Sequence, residues 1–281
     1  MPAHVTVITD STSCLPDRLA AQWGVKVVQL QLHIDGHVDD EHRFARADLI
    51  QAIRDFRAVT TTPPDIGAFF WAYQEAAASG ASAIVSIHLS GRMSQTADAA
   101  REAATQVSIP VYVLDSATLG MSMGYAAISA ARAAAAGADI HRVLDTAQNR
   151  CRTATELLYV DTLEYLRRSG RIGSAQAMLG TALSIKPLLI VKNGEVSPHS
   201  KVRGTKRAMA KMVEVATKAA GNLTVDLAIT RFGAEDELVE VAKQIGKRIP
   251  NVRDSHLVDA SAIIGAHVGP GALSITVSPV S

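Results

Sequence analysis

Short apolar runs rich in Val and Ile alternate with longer, helically spaced segments through the first half of this chain. The runs are His4–Ile8 (HVTVI), Val25–Leu32 (VKVVQLQL), Ala83–His88 (AIVSIH) and Val111–Leu114 (VYVL). Between and after them lie Arg46–Phe56, Ile66–Ala78, Ala97–Gln106 and Met121–Ala136. Strands with nearly continuous apolar character are buried on both faces, and crossover helices supply that cover. The alternation therefore predicts a mostly parallel sheet between helical layers. Right-handed crossovers make such a sheet doubly wound, and ligands gather at the carboxyl ends of its strands. The first run leads into TDSTSCLPDRLA, where a Ser or Thr cap with Pro16 and Asp17 marks a helix start. The small side chains of Ala126–Ala136 predict a close-packed helix.

The rhythm changes after about residue 155. Leu157–Val160 is short, DTLEYLRRSGRIGS predicts a helical turn stopping at Gly170, and KPLLIVKNGEVSPHSKV predicts a hairpin turning at Asn193-Gly194. A basic helix Thr205–Ala219, a strand Leu223–Thr230, a helix Glu235–Arg248 and a final strand Ala272–Val277 follow. That order suits a partly antiparallel sheet. With 281 residues and about 150 per domain, two domains are expected. The fold class is α/β, with an N-terminal doubly wound, mostly parallel sheet domain (residues 1–158) and a smaller α+β second domain (159–281) that closes a pocket.

Charge and composition exclude several classes. The 28 Lys plus Arg nearly balance 27 Asp plus Glu, which argues against nucleic acid as a partner. At 48% apolar and 20% charged residues the chain is not disordered. Cys14 and Cys151 cannot form a disulfide scaffold and read as reduced thiols. The start, MPAHVTVITD, lacks the pattern of a secretory signal, and AAISAARAAAAGA is interrupted by Arg132. A soluble cytoplasmic protein is expected, with at most transient membrane-surface contact. Aromatics are only 4%, so a large cavity must be lined mainly by aliphatic side chains and Ala.

Several clusters carry candidate chemistry. His33, Asp35, His37 and Asp39 share one face of an extended strand, where a cation could meet them; the competing and favoured reading is a polar turn at Asp35-Gly36 in a solvated hairpin. No metal site is expected. The chain contains no GxSxG elbow, Walker loop or GxGxxG. Ser94, His267 and Asp115 could be assembled into a hydrolytic set only by selection. Hydroxyl clusters are more informative. Thr60-Thr61-Thr62-Pro63-Pro64 reads as a loop before a helix, and Ser94-Gln95-Thr96 opens ADAAREAA. Hydroxyls and free N–H groups at helix starts can hold an anion without a cation, although each alone is commonly a plain cap. His267 lies in IIGAHVGPG, read as a loop whose glycines permit close approach. Arg167, Arg168 and Arg171 with Lys201, Arg203, Lys206, Arg207 and Lys211 form either a solvated face or a docking surface.

VTVITDSTSCLP, TTTPP, AIVSIHLSGRMSQT, LEYLRRSGRI, KPLL, VSPHSKVRGTKRA and GAHVGPGAL follow one another in an order that resembles the DegV family of bacterial lipid-binding proteins, nearly end to end. The family's Asp-Ser loop falls at Asp10 and Ser11. Members serve as the fatty-acid-binding subunit of fatty acid kinase. The resemblance implies one long-chain fatty acid buried as a ligand, with no other cofactor, its carboxylate at Thr61 and Ser94 and His267 near the head group. It further implies a separate fatty acid kinase subunit bringing ATP and Mg²⁺, Arg203 on the kinase-facing surface, and Arg171 there or near the phosphate. On this reading the chain is a carrier and contributes no catalytic residue of its own. Pro63, Gln95 and Gly204 depart from the family's usual Gln, Gly and Thr. The rival reading is a small hydrolase or acyltransferase using Ser94 or Ser90 with His267.

Overall fold

A computed structural model describes residues 4–180, 185–234 and 236–280. The chain opens with β1 (Val5–Asp10), α1 (Asp17–Trp23), β2 (Lys26–Val28), β3 (Gln31–Ile34), β4 (His37–Asp40), α2 (Arg46–Arg54), β5 (Val59–Thr62) and α3 (Ile66–Ala78). Next come β6 (Ala83–His88), α4 (Thr96–Ala104), β7 (Val111–Asp115), α5 (Gly120–Ala135), α6 (Ile140–Thr153) and β8 (Thr155–Tyr159). The remainder is α7 (Glu164–Arg168), β9 (Ile185–Lys192), β10 (Glu195–Arg203), α8 (Thr205–Ala220), β11 (Val225–Phe232), α9 (Asp236–Lys243), β12 (Val252–Asp259), α10 (Ala262–Val268) and β13 (Ala272–Pro279).

The expected parallel sheet is present, in the order β2-β1-β6-β7 with all pairings parallel. Every residue of β6 is buried, as its continuous apolar run requires. Ile8 and Ile84 meet Phe69 and Tyr73 of α3 and Ala100 of α4 on one face. Val5, Val7, Val85 and Ile87 meet Met123 and Ala127 of α5 on the other. The crossovers from β1 and β6 run outward in opposite directions. The switch point therefore lies between β1 and β6, where Asp10 and His88 end their strands.

Two local readings need correction. Val25–Leu32 is not one strand: β2 ends at Val28, and β3 enters a separate antiparallel sheet ordered β4-β3-β5. The break falls where Leu30 N donates to Ser11 Oγ, 3.0 Å away, instead of to a strand. Thr60–Thr62 is not a loop, because it completes β5 against β3. Asp65 caps α3 instead, its side chain accepting from Gly67 N at 2.7 Å. Asp35 (φ 51°) and Gly36 (φ 85°) form the two-residue turn of the β3–β4 hairpin, as the turn reading expects. Asp35 there pairs with Arg57.

The third sheet is ordered β10-β9-β8-β13-β11-β12 and is antiparallel except between β11 and β12. Its outer face (Leu157, Leu227, Ile229, Ile275) packs on Met209 and Val213 of α8. Ala228 and Phe232 of the inner face join the same core as Val85, Met123 and Ile263, so the two halves share packing. Asn193 (φ 52°) and Gly194 (φ 80°) turn the β9–β10 hairpin as expected. The expected helix over 235–248 begins at residue 235, outside the described residues; α9 continues as a 3-10 turn, Gln244–Lys247. The structure adds two elements that the sequence pattern does not mark, α6 and β12. Among the described residues no helix is long and apolar enough to cross a membrane.

Candidate functional site

A cavity of about 500 Å³ opens where the carboxyl ends of the parallel sheet meet β5, α10 and the β9–β10 hairpin. Its rim includes the exposed residues Thr62, Arg92, Gln95 and Arg171. Leu30, Leu89, Ile263 and Val268, all buried, supply much of its wall. The hairpin tip is fastened across this region. Ser90 Oγ donates to Gly194 O at 2.6 Å, and Arg92 reaches Asn193 O at 3.1 Å and Glu195 Oε2 at 2.8 Å.

Thr61, Ser94 and His267, separated widely in sequence, all line this cavity. Thr61 Oγ1 lies 2.9 Å from His267 Nε2, and Ser94 Oγ lies 2.8 Å from Thr96 Oγ1. Burial first, and the Arg171 charge second, lower the His267 pKa to about 4, so its ring is neutral at pH 7. His267 Nδ1 is buried without a hydrogen-bond partner. Arg171 also lines the cavity, its Nη1 donating to Ser169 O (2.6 Å) and its Nε to Met93 O (3.3 Å). Sequence reasoning required no cation beside the head group; the structure puts one at the rim. Arg203 is exposed at the end of β10 and does not line the cavity. Pro63 and Gln95 do line it. Gly204 has φ 83°, a conformation that favours glycine over Thr.

His267 stands in the last turn of α10, not in a loop. The flanking glycines admit the protein's own side chains. A Cβ at Gly265 would lie 2.2 Å from Phe232, and one at Gly269 would lie 1.9 Å from Tyr165. His267 meets Thr61 rather than a serine, Ser94 pairs with Thr96, and buried Ser90 donates to Gly194 O. The hydrolase arrangement of serine beside base is therefore not formed. A different chain of groups does look catalytic. Asp10 Oδ2 lies 3.0 Å from His88 Nδ1, and His88 Nε2 lies 2.7 Å from Ser86 Oγ. All three side chains are fully buried, and Asp10 also accepts from Thr12 N and Leu89 N. This set ties the ends of β1 and β6 together at the switch point.

The cavity's inner end was not foreseen. Glu156, Thr230 and Ser274 line it from three neighbouring strands of the mixed sheet. The available signal was polar residues at every second position of an otherwise apolar run, Ser274, Thr276 and Ser278. Glu156 is buried, and desolvation raises its pKa. Burial also pushes the Cys14 thiol, another lining group, up to about 12, which makes it unreactive.

Comparison with known proteins extends this geometry. A family model described as "Uncharacterised protein, DegV family" matches residues 4–280. A DegV domain-containing protein of Streptomyces coelicolor is 39% identical over 279 residues, covering 99% of each chain. One from Deinococcus radiodurans is 33% identical over 283 residues, again covering 99% of each. A structure described as fatty acid binding of a DegV family protein from Thermus thermophilus superposes with TM-score 0.93 at 29% identity, covering 99% of this chain and 100% of that one. DegV, a fatty acid binding protein from Bacillus subtilis, gives TM-score 0.89 at 28% identity with the same coverage.

Proposed function

The chain belongs to the DegV family, and from that membership we propose that it binds one long-chain fatty acid in the cavity, with the carboxylate at Thr61, Ser94 and His267. The observation that carries this reading is the placing of these three residues on one cavity of about 500 Å³, within the range that encloses a small ligand. A chain of about sixteen carbons gains roughly 0.8 kcal/mol per buried CH₂, on the order of 12 kcal/mol before ordering losses.

The head group sets the stricter demand, since a carboxylate leaving water must be hydrogen-bonded. A neutral His267 carries one N–H. Placing it on Nε2 lets it donate to Thr61 Oγ1 and spares Nδ1 the cost of a buried, unpaired N–H. The Thr61 hydroxyl proton is then free to meet the carboxylate. Thr96 donating to Ser94 frees the Ser94 proton in the same way.

The protein on this reading is a carrier. It holds the carboxylate at the rim while a separate fatty acid kinase supplies ATP and Mg²⁺ and forms the acyl phosphate, a reaction that depends on positioning and charge stabilisation. Arg171, on the rim, lies near the transferred phosphate, and Arg203 belongs to the kinase-facing surface of the second half, residues 159–281. The test is denaturing extraction of the purified protein followed by mass spectrometry. One equivalent of fatty acid is expected, whereas a lipid-free protein that also fails to bind added fatty acid overturns the reading.

A further inference from the structure

We infer that the cavity's inner end recognises an oxygen function on the ligand's hydrocarbon chain, so that a hydroxylated acyl chain is preferred to a plain one. This rests on the acyl-binding reading above. A plain tail needs only apolar walls, and polar groups covered by methylenes lose their hydrogen-bonding partners at a cost. The inner end is polar all the same. Thr230 pairs with Ser274 in register, Thr276 pairs with Glu156, and Thr230, Ser274 and Glu156 line the cavity. Thr230 is 95% buried, and its Oγ1 has no hydrogen-bond partner.

Glu156 is held chiefly through Oε2, with Ser274 also hydrogen-bonding its carboxyl. Oε2 accepts from Ser122 Oγ (2.7 Å), Thr276 Oγ1 (2.7 Å) and Ser122 N (3.3 Å). No cation pairs with Glu156 among the described residues, and burial raises its pKa against the hydrogen bonds of Thr276, Ser122 and Ser274, which lower it. With Oε2 accepting three donors, the proton of the neutral acid belongs on Oε1. That atom lies against Gly120, which also lines the cavity; a Cβ there would stand 3.4 Å from Oε1. The inner end thus offers the Glu156 carboxyl, whose protonated form donates an O–H, beside a Thr230 hydroxyl that can donate or accept. A hydroxyl on the acyl chain complements both, accepting from the acid and donating to Thr230. Thr62, Arg92, Gln95 and Arg171 of the same lining are exposed whereas Glu156 and Thr230 are buried, so the two polar sets would engage separate parts of one ligand.

The experiment is calorimetric titration of the delipidated full chain with stearate and with hydroxystearates bearing the hydroxyl at successive positions. At least one positional isomer is expected to bind about tenfold or more tightly than stearate. Thr230→Val is expected to raise stearate affinity and lower that of the preferred isomer, while Glu156→Gln, whose amide still donates, keeps most of the preference. Stearate binding as tightly as every isomer, or an unaltered preference in Thr230→Val, overturns the inference while acyl binding stands. Failure of all the acids to bind overturns the acyl-binding reading itself, and this inference with it.

Discussion

Burial and the Arg171 guanidinium both favour the uncharged ring of His267 and take its pKa from 6.5 to about 4. In the unfolded chain the ring binds a proton near its ordinary value. Between these two values the unfolded state holds more protons, so stability falls as pH drops from 6.5 towards 4 and the contribution is complete above 6.5. His267→Gln should lose less stability than wild type across that window. The comparison isolates His267 from Glu41 and Glu156, whose raised pKa values act in the opposite sense. Parallel stability curves for the two proteins would refute the assignment. The hydroxyls give a second prediction: Thr61→Ala combined with Ser94→Ala should weaken fatty acid binding by about 1–3 kcal/mol per lost partner, measured by calorimetry. Unchanged affinity would remove both residues from the head-group site. Thr61, Ser94 and His267 are singled out by the family resemblance, since a hydroxyl before a helix is by itself commonly a plain cap, and the structure sets all three on one cavity. Glu156 is not singled out. A Glu in the run TELLY reads as solvent-facing until the sheet shows which side of β8 is covered.

The hairpin of β9 and β10 reads directly from sequence, because Asn-Gly, like Asp35-Gly36 in the β3–β4 hairpin, satisfies two successive positive φ values cheaply. What the sequence does not reveal is that its tip closes on Ser90 and Arg92. A Cβ at Gly194 would lie 2.6 Å from Ser90 Oγ, at a backbone φ of 80°. Gly194→Ala should therefore cost about 1–3 kcal/mol and speed ligand release, seen as a lower Tm and a faster off-rate. Wild-type values for both would show that the tip bears no load. The missed and misjudged elements share one cause, burial decided by partners distant in sequence. α6 (IHRVLDTAQNRCRT) looks too polar to pack, yet Arg150 is among its buried residues. β12 alternates in exposure as an edge strand, with Arg253 and Asp259 among its exposed positions. β3 and β5 need each other before either is recognisable. Strands β1 and β6 were legible because burial on both faces leaves a continuous apolar signature.

On the proposed reading, ligand contact and partner contact fall on separate parts of the molecule. Arg203 is exposed and outside the cavity, so Arg203→Ala should leave fatty acid affinity at its wild-type value and slow kinase-dependent acyl phosphate formation; equal turnover would count against its docking role. The cavity keeps its shape only if the halves that bound it stay together, and one buried cation joins them. Arg150 of α6 is 1% exposed, pairs with Asp226 of β11 and donates to Ser278 O and Pro279 O of β13. Arg253 also pairs with Asp226. Arg150→Met removes the buried cation while Arg253 still compensates the carboxylate. The loss should fall at or below the about 3–5 kcal/mol typical of a broken buried pair. Because the same core contains residues of both halves, wild type should melt in one calorimetric transition. Arg150→Met should lower the Tm of that single transition or begin to divide it, with the ligand restoring part of the loss by mass action. Two well-separated transitions in the wild-type protein would mean that the halves fold independently and that the shared core does not couple them.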